Sequence, residues 1–89
     1  MTLNEILAAN GRKLEDITQI YRGKDHWCRC GCGGTYFDHN RPEDARGFKR
    51  AINQMNKPDF KTWDVEVEDT YINIPYDAAN DKCFCVYFD

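Results

Sequence analysis

The five cysteines are the residues of this chain that are best suited to chemistry, and they form two groups. Cys28, Cys30 and Cys32 alternate in the stretch CRCGC, and Cys83 and Cys85 alternate near the C-terminus. Thiolates bind soft metal ions, and alternate side chains of an extended strand lie on one face. The sequence therefore allows a zinc site whose ligands come from the set Cys28, Cys30, Cys32, Cys83, Cys85 and His26.

The spacing of these cysteines favours a simpler interpretation. Paired ligands of structural zinc sites usually have two to four residues between them, whereas an extended Cys-x-Cys separates its side chains by about 6.5 to 7 Å at the backbone. That separation is also too long for an ordinary disulfide. We therefore expect thiols that fill a sheet face as small apolar groups, with no required cofactor, and zinc stays as the alternative.

Catalysis by a cysteine is not expected. His26 lies two residues before Cys28, and in a strand the two would be only neighbours on one face. A nucleophilic cysteine needs a positioned base and an activating environment, and the sequence has no oxyanion-hole signature. We predict that the protein is not an enzyme.

A basic face on the second predicted helix is a sharper candidate site. Its members lie opposite the apolar residues Phe48, Ile52 and Met55, and they are Arg46, Lys49, Arg50, Asn53 and Lys57. Such a face suits phosphates or an acidic protein surface, although a solvated helix side has the same composition.

An acidic counterpart follows in the C-terminal part. Asp64, Glu66 and Glu68 alternate with Val65 and Val67, so a strand would place the three carboxylates on one face about 6.6 Å apart. A regular row of this kind can imitate a phosphate backbone, or it can protect a sheet edge from aggregation.

Length and composition limit the remaining classes. A chain of 89 residues with 42 % hydrophobic content predicts one folded domain spanning residues 1–89. The net charge of −3 divides into +3 over residues 1–57 (ten basic, seven acidic) and −6 over residues 58–89 (two basic, eight acidic). The N-terminus lacks a signal-peptide pattern, no apolar run reaches about 20 residues, and the cysteine count is odd, so we expect a soluble cytoplasmic protein without membrane contact.

The elements that must position these residues follow from local patterns. A capping box at Thr2 predicts a short first helix, residues 13–21 a turn leading into a strand, and residues 26–38 a glycine-tipped hairpin with arms at 26–30 and 35–38 after a turn at 23–25. Pro42 and Pro58 bound a main helix, and strands follow at 63–68, 70–74 and 83–88, with a turn at 77–81. We predict an α+β fold, in which an antiparallel sheet made of the hairpin and a C-terminal three-strand meander packs against one main helix.

The stretch GKDHWCRCGCGGTY at residues 23–36, followed by GF at 47–48 and AIN at 51–53, resembles small bacteriophage proteins that share a GKDH-x-CRCGCGG-x-Y core. The resemblance covers most of the chain and is specific at the hairpin. It implies a non-catalytic phage-encoded inhibitor of a bacterial defence complex, such as an anti-CRISPR, that acts in the host bacterial cytoplasm. Such an inhibitor blocks nucleic-acid binding by stoichiometric contact with a bacterial protein or ribonucleoprotein complex, with nucleic acid as a further contact.

A second hypothesis belongs to another class of protein. In it the chain is a zinc-stabilised nucleic-acid-binding module, whose cysteine and histidine side chains hold the hairpin while the basic helix contacts phosphates. The two hypotheses differ in whether a metal contributes to folding.

Overall fold

The computed structural model describes residues 1–23, 34–62, 64–75 and 83–88. Within these residues five antiparallel strands form one sheet in the order β2-β1-β5-β4-β3. The elements are α1 (Leu3–Ala9), β1 (Ile17–Gly23), β2 (Thr35–Asp38), α2 (Ala45–Met55), β3 (Glu66–Val67), β4 (Tyr71–Pro75) and β5 (Cys83–Phe88), with 3-10 turns at Leu14–Asp16 and Pro42–Asp44. The pairing of β1 with β2 and the meander of β3, β4 and β5 confirm the predicted α+β fold class.

Helix α1 begins where the sequence predicts. The backbone N–H of Glu5 donates to Thr2 Oγ1 at 3.3 Å, and the N–H of Thr2 donates to Glu5 Oε1 at 2.9 Å, so both halves of the capping box are formed. Asn10 caps the other end. The helix buries Leu3, Ile6 and Leu7.

Helix α2 follows directly on the 3-10 turn that starts at Pro42. The C-cap of α2 is Asn56, two residues before Pro58. The Asn56 side chain links the two helices, because its Oδ1 accepts a hydrogen bond of 2.8 Å from the backbone N–H of Asn4. This bond satisfies one of the amide groups that the first turn of α1 leaves without an intrahelical partner.

One face of the sheet forms the hydrophobic core. Its central strands contribute Ile20, Ile72, Ile74, Phe84, Val86 and Phe88, and the two helices cover them with Leu3, Ile6, Leu7, Ala51 and Met55. The approach of α2 to the sheet depends on Gly47, since a Cβ built there would lie 2.2 Å from the Phe37 ring. Glycine destabilises a helix by about 1 kcal/mol relative to alanine, and the close packing of α2 on Phe37 offsets this cost.

Two predicted strand boundaries are wrong. The strand expected over residues 63–68 is reduced to β3, Glu66–Val67, because Asp64 has a φ of 48°, which is incompatible with extended backbone. Gly23, expected in a turn, is the last residue of β1 and pairs with Cys83. The predicted hairpin arm at 26–30 and the turn at 77–81 lie outside the described residues.

None of the helices formed by the described residues is long and apolar enough to cross a membrane. The longest, α2, has 11 residues.

Candidate functional site

The predicted basic residues of α2 do share one exposed surface, here called the cationic face. It consists of Arg46, Lys49, Arg50, Asn53 and Lys57, all exposed. Together with Gln54 they line a shallow open depression along the helix. The opposite side of α2 buries Ala51 and Met55, so core packing fixes which way the cationic face points.

Within the described part of the chain, the charges of the cationic face are not neutralised by ion pairs. Among the residues that the structure describes, no carboxylate forms an ion pair with Arg46, Lys49, Arg50 or Lys57. The ion pairs close to α2 instead join Arg41 to Glu43 at 2.9 Å and to Asp44 at 3.8 Å, in the preceding 3-10 turn. Three of these cations lie on the roughly 16 Å of α2 and Lys57 follows its C-cap, so this side of the described structure carries a concentrated positive potential.

Arg22 extends this surface, and sequence reasoning missed it. Its guanidinium carbon lies 5.5 Å from the centre of the Phe37 ring, and the same ring packs against Gly47 of α2. Arg22 is therefore a partly exposed cation beside the flank of α2. Its position on β1, far from α2 in sequence, gave no signal, because only the register of β1 with β2 brings it to Phe37.

The acidic residues do not form the predicted regular row. Glu66 lies in β3, but Asp64 has left-handed backbone and Glu68 follows the strand, so the even spacing is lost. Glu66 is also engaged, since its Oε1 accepts a hydrogen bond of 3.1 Å from the Tyr71 hydroxyl. Asp64 and Glu68 are exposed near the β3 edge of the sheet.

The face of the sheet opposite the core carries a different set of side chains, here called the tyrosine and thiol face. Its members are Tyr21, Tyr36, Glu66, Tyr71, Asn73, Cys83, Cys85 and Tyr87. The strand registers align Tyr36, Tyr21, Cys85, Asn73 and Glu66 in one row across all five strands of the described sheet. The sequence shows the alternation within each strand, but the row depends on the registers.

The tyrosine rings are packed together. Tyr36 lies 4.9 Å from Tyr21 and 6.2 Å from Tyr87, measured between ring centres, and Tyr87 lies 6.2 Å from Tyr71. Aromatic pairs at these separations attract one another beyond their burial.

Two glycines allow the Tyr21 ring its position. A Cβ at Gly23 would lie 2.6 Å from the Tyr21 ring, and one at Gly34 would lie 2.3 Å from it. Tyr21 itself is fully buried, so the ring has little room to move away. Glycine is therefore required on both sides of this ring for steric reasons, without any positive φ.

Polar groups on this face are perturbed by their surroundings. Burial raises the pKa of the Tyr87 hydroxyl, and hydrogen bonds with Cys85 and Tyr36 raise it further, so Tyr87 keeps its proton at physiological pH. Asn73 is 7 % exposed, and its Oδ1 has no hydrogen-bond partner among the described residues. A buried polar atom without a partner typically costs about 1 to 3 kcal/mol.

Cys83 and Cys85 lie on this face, 0 % and 1 % exposed. The other predicted zinc ligands, Cys28, Cys30, Cys32 and His26, lie outside the described residues. Within the described ranges no three His, Cys, Asp or Glu side chains come close enough to hold a metal ion.

Comparison of the chain with models of protein families, with curated proteins and with solved structures finds no match.

Proposed function

We propose that the protein is a non-catalytic, phage-encoded inhibitor that binds a bacterial defence complex by stoichiometric protein–protein contact, with the cationic face of α2 as its docking surface. The observation that carries the proposal is the set of four exposed cations without ion pairs among the described residues. Arg22 enlarges the same surface. The resemblance of residues 23–36 to phage proteins indicates the class of target.

Electrostatics favour an acidic protein surface over bare nucleic acid. The chain has a net charge of −3, so a long polyanion is repelled at a distance by the molecule as a whole. A protein partner with a local acidic patch can match the cationic face without meeting the acidic residues near β3. Charge complementarity of this kind speeds association and excludes wrong partners.

The size of the surface sets what else must take part. A stable interface takes about 800 Å² from each partner, and one face of a helix about 16 Å long supplies only part of that area. The flank of α2 that leads through Phe37 to Arg22 is the adjoining surface with the same charge sign.

The acidic residues are a weaker candidate for the main contact. Glu66 is held by the Tyr71 hydroxyl, and Asp64 and Glu68 are not in register with it. Two scattered exposed carboxylates concentrate less charge than the four cations of the cationic face, three of them on α2 and the fourth just after its C-cap.

A phage plating assay tests the proposal. The protein is expressed in a panel of bacterial strains, each with one nucleic-acid-guided defence system, and phage survival is measured. We expect wild-type protein to restore plating in one strain and the variant Lys49→Glu/Arg50→Glu to fail there. The variant Lys13→Glu/Lys61→Glu changes two exposed lysines elsewhere by the same total charge, and it should act like wild type.

The outcomes separate the parts of the proposal. Wild-type protein that restores plating in no strain would show that the inhibitor function is wrong. An active Lys49→Glu/Arg50→Glu variant would show that the cationic face is not the docking surface. If inhibition persists but the purified protein binds its target only when nucleic acid is present, the contact is with nucleic acid.

A further inference from the structure

The outer side of β2 is an edge of the described sheet, and it lies next to the cationic face. Strand β2 pairs with β1 alone among the described strands. The backbone N–H of His39 donates to the Thr18 carbonyl at 3.2 Å, so these two residues form a hydrogen-bonded pair. Such pairs alternate along an antiparallel ladder, and the peptide groups of Tyr36 and Asp38 therefore point away from β1.

Within the described residues, the chain itself closes off one of these two positions. The backbone N–H of Asp38 donates to Asp44 Oδ2 at 3.1 Å, and its carbonyl accepts a hydrogen bond of 3.1 Å from the N–H of Arg41. The peptide groups of Tyr36 have no such partner among the described residues. An outward-facing N–H and C=O are the groups to which a second extended chain can add as a strand.

The Tyr36 side chain is held in place beside these groups. It is 40 % exposed, and its ring centre lies 4.9 Å from that of Tyr21 and 6.2 Å from that of Tyr87. The close approach to Tyr21 agrees with the alternation, since side chains are nearest in a pair without hydrogen bonds. A packed, exposed tyrosine loses little conformational freedom on binding, and tyrosine is enriched among residues that dominate interfaces.

The charges beside this edge favour an acidic occupant. Thr35, the neighbour of Tyr36, pairs in register with Arg22, the cation that adjoins the cationic face. Arg22 forms no ion pair with a described residue. The carboxylate of Asp38 lies at the other end of β2, where it accepts a hydrogen bond from the backbone two residues on. A segment with carboxylates can therefore contact Arg22 at the Tyr36 end.

We propose that the β2 edge at Tyr36 receives an extended acidic segment of the partner protein, which adds to the sheet through backbone hydrogen bonds. This contact rests on the proposed function, because the segment belongs to the partner that docks on the cationic face. A second copy of the chain fits less well. Antiparallel pairing of two β2 edges would place both α2 helices on the same face of the joined sheet, where their like charges repel.

Two substitutions of Tyr36 separate the backbone from the ring. Tyr36→Ala removes the ring and keeps the outward N–H, whereas Tyr36→Pro removes both, and an edge strand tolerates proline where its nitrogen faces outward. The probe is the purified defence complex of the strain in which wild-type protein restores phage plating. We expect Tyr36→Ala to weaken binding and Tyr36→Pro to raise the dissociation constant about tenfold further, because a partner carbonyl loses its donor.

Val67 on the opposite edge provides the matched control. It is 45 % exposed, and a hydrogen bond of 2.9 Å from the Glu68 N–H to the Tyr71 carbonyl makes Val67 face outward by the same alternation. Val67→Ala and Val67→Pro should both bind like wild type, because the acidic residues near β3 repel an acidic segment. Thermal unfolding checks that all four variants fold.

Hydrogen exchange on wild-type protein needs no variant. Exchange over residues 34–38 should slow when the defence complex is bound, and exchange over residues 66–68 should not change. If wild type restores plating but Tyr36→Pro binds as well as Tyr36→Ala, or residues 34–38 gain no protection, the edge contact is wrong and the cationic face stands alone. Wild type that restores plating in no strain would remove the proposed function and this contact with it. A wild-type dimer that Tyr36→Pro converts to monomers would identify a second copy as the occupant and overturn the proposal.

Discussion

The two faces of the sheet are built from the same strands and have different chemistry. The core face is aliphatic and aromatic, with Ile72, Ile74, Phe84 and Val86 packed under two helices. The tyrosine and thiol face carries hydroxyl, thiol and amide groups, and one of these, Asn73 Oδ1, has no partner among the described residues. The alternation of side chains along each strand produces this division.

The difference between the two faces indicates that most of the folding stability comes from the core face, while the polar and thiol groups lie on the other face. Burial of apolar area on the core face accounts for folding in the ordinary way, at about 25 cal/mol per Å². Burial of tyrosine hydroxyls and thiols on the other face contributes less per unit area and needs hydrogen bonds or ligands in compensation. We therefore expect core-face substitutions to change stability most, and substitutions on the other face to change it less.

The largest effect should come from Ile74→Ala on the core face. Ile74 is fully buried in β4, so truncation leaves a cavity and should lower the free energy of unfolding by about 2 to 5 kcal/mol. Ile74→Val is the matched smaller change and should cost about 0.5 to 1.5 kcal/mol. Urea unfolding measures both, and equal costs would break the comparison.

Gly47→Ala should have the next largest effect. Alanine improves helix propensity, but its Cβ would meet the Phe37 ring at 2.2 Å, and overpacking of this type costs about 1 to 3 kcal/mol. The variant should therefore be less stable in urea unfolding despite its better propensity.

A double variant provides the control for this steric explanation. Phe37→Leu removes the ring edge that a Cβ would meet, so Gly47→Ala should cost less in that background. A cost that is the same in both backgrounds would mean that contact with Phe37 is not the cause.

Thr2→Ala tests a stabilising contribution that belongs to neither face. Loss of the N-cap should reduce stability by about 1 kcal/mol at neutral pH. Hydrogen bonds from the Thr2 backbone N–H and hydroxyl lower the pKa of Glu5. Because the folded pKa lies below the unfolded one, this contribution is present above the ordinary pKa of Glu5 and is lost as the pH falls through the folded value.

The pH dependence gives this prediction a second measurement. Thr2→Ala keeps the bond from the Thr2 backbone N–H to the Glu5 carboxylate and removes only the bond from the Thr2 hydroxyl. Thermal unfolding at neutral pH and at about pH 3 should therefore show a slightly smaller difference between Thr2→Ala and wild type under acidic conditions. A stability difference that is constant with pH would show that stabilisation by the Thr2 side chain does not depend on the charge of the Glu5 carboxylate.

Asn73→Leu, on the tyrosine and thiol face, should have the smallest effect on stability. It tests whether substitutions on this face cost less than those on the core face. It removes the amide oxygen that has no partner among the described residues and keeps the same branching of four side-chain heavy atoms, so stability should change by less than about 1 kcal/mol, toward greater stability. Thermal unfolding measures the change. A marked loss of stability would mean that the Asn73 side chain contributes to the fold through an interaction that leucine cannot replace.

Several elements could be predicted from the sequence because their signals are local. The capping box at Thr2, the stop of α2 before Pro58 and the strand Cys83–Phe88 depend on neighbouring residues, and all three are present. The cationic face was also predictable, since helical periodicity alone places Arg46 and Lys49 opposite the core.

The arrangement across strands needed the tertiary structure. Asp64 adopts left-handed backbone although the residues around it alternate in polarity as a strand would. Arg22 reaches the flank of α2 only through the pairing of β1 with β2. The placement of Cys85 between Tyr21 and Asn73 likewise follows from strand register. Sequence patterns fix which side of a strand or helix a residue occupies, but register and packing decide which residues from distant segments become neighbours.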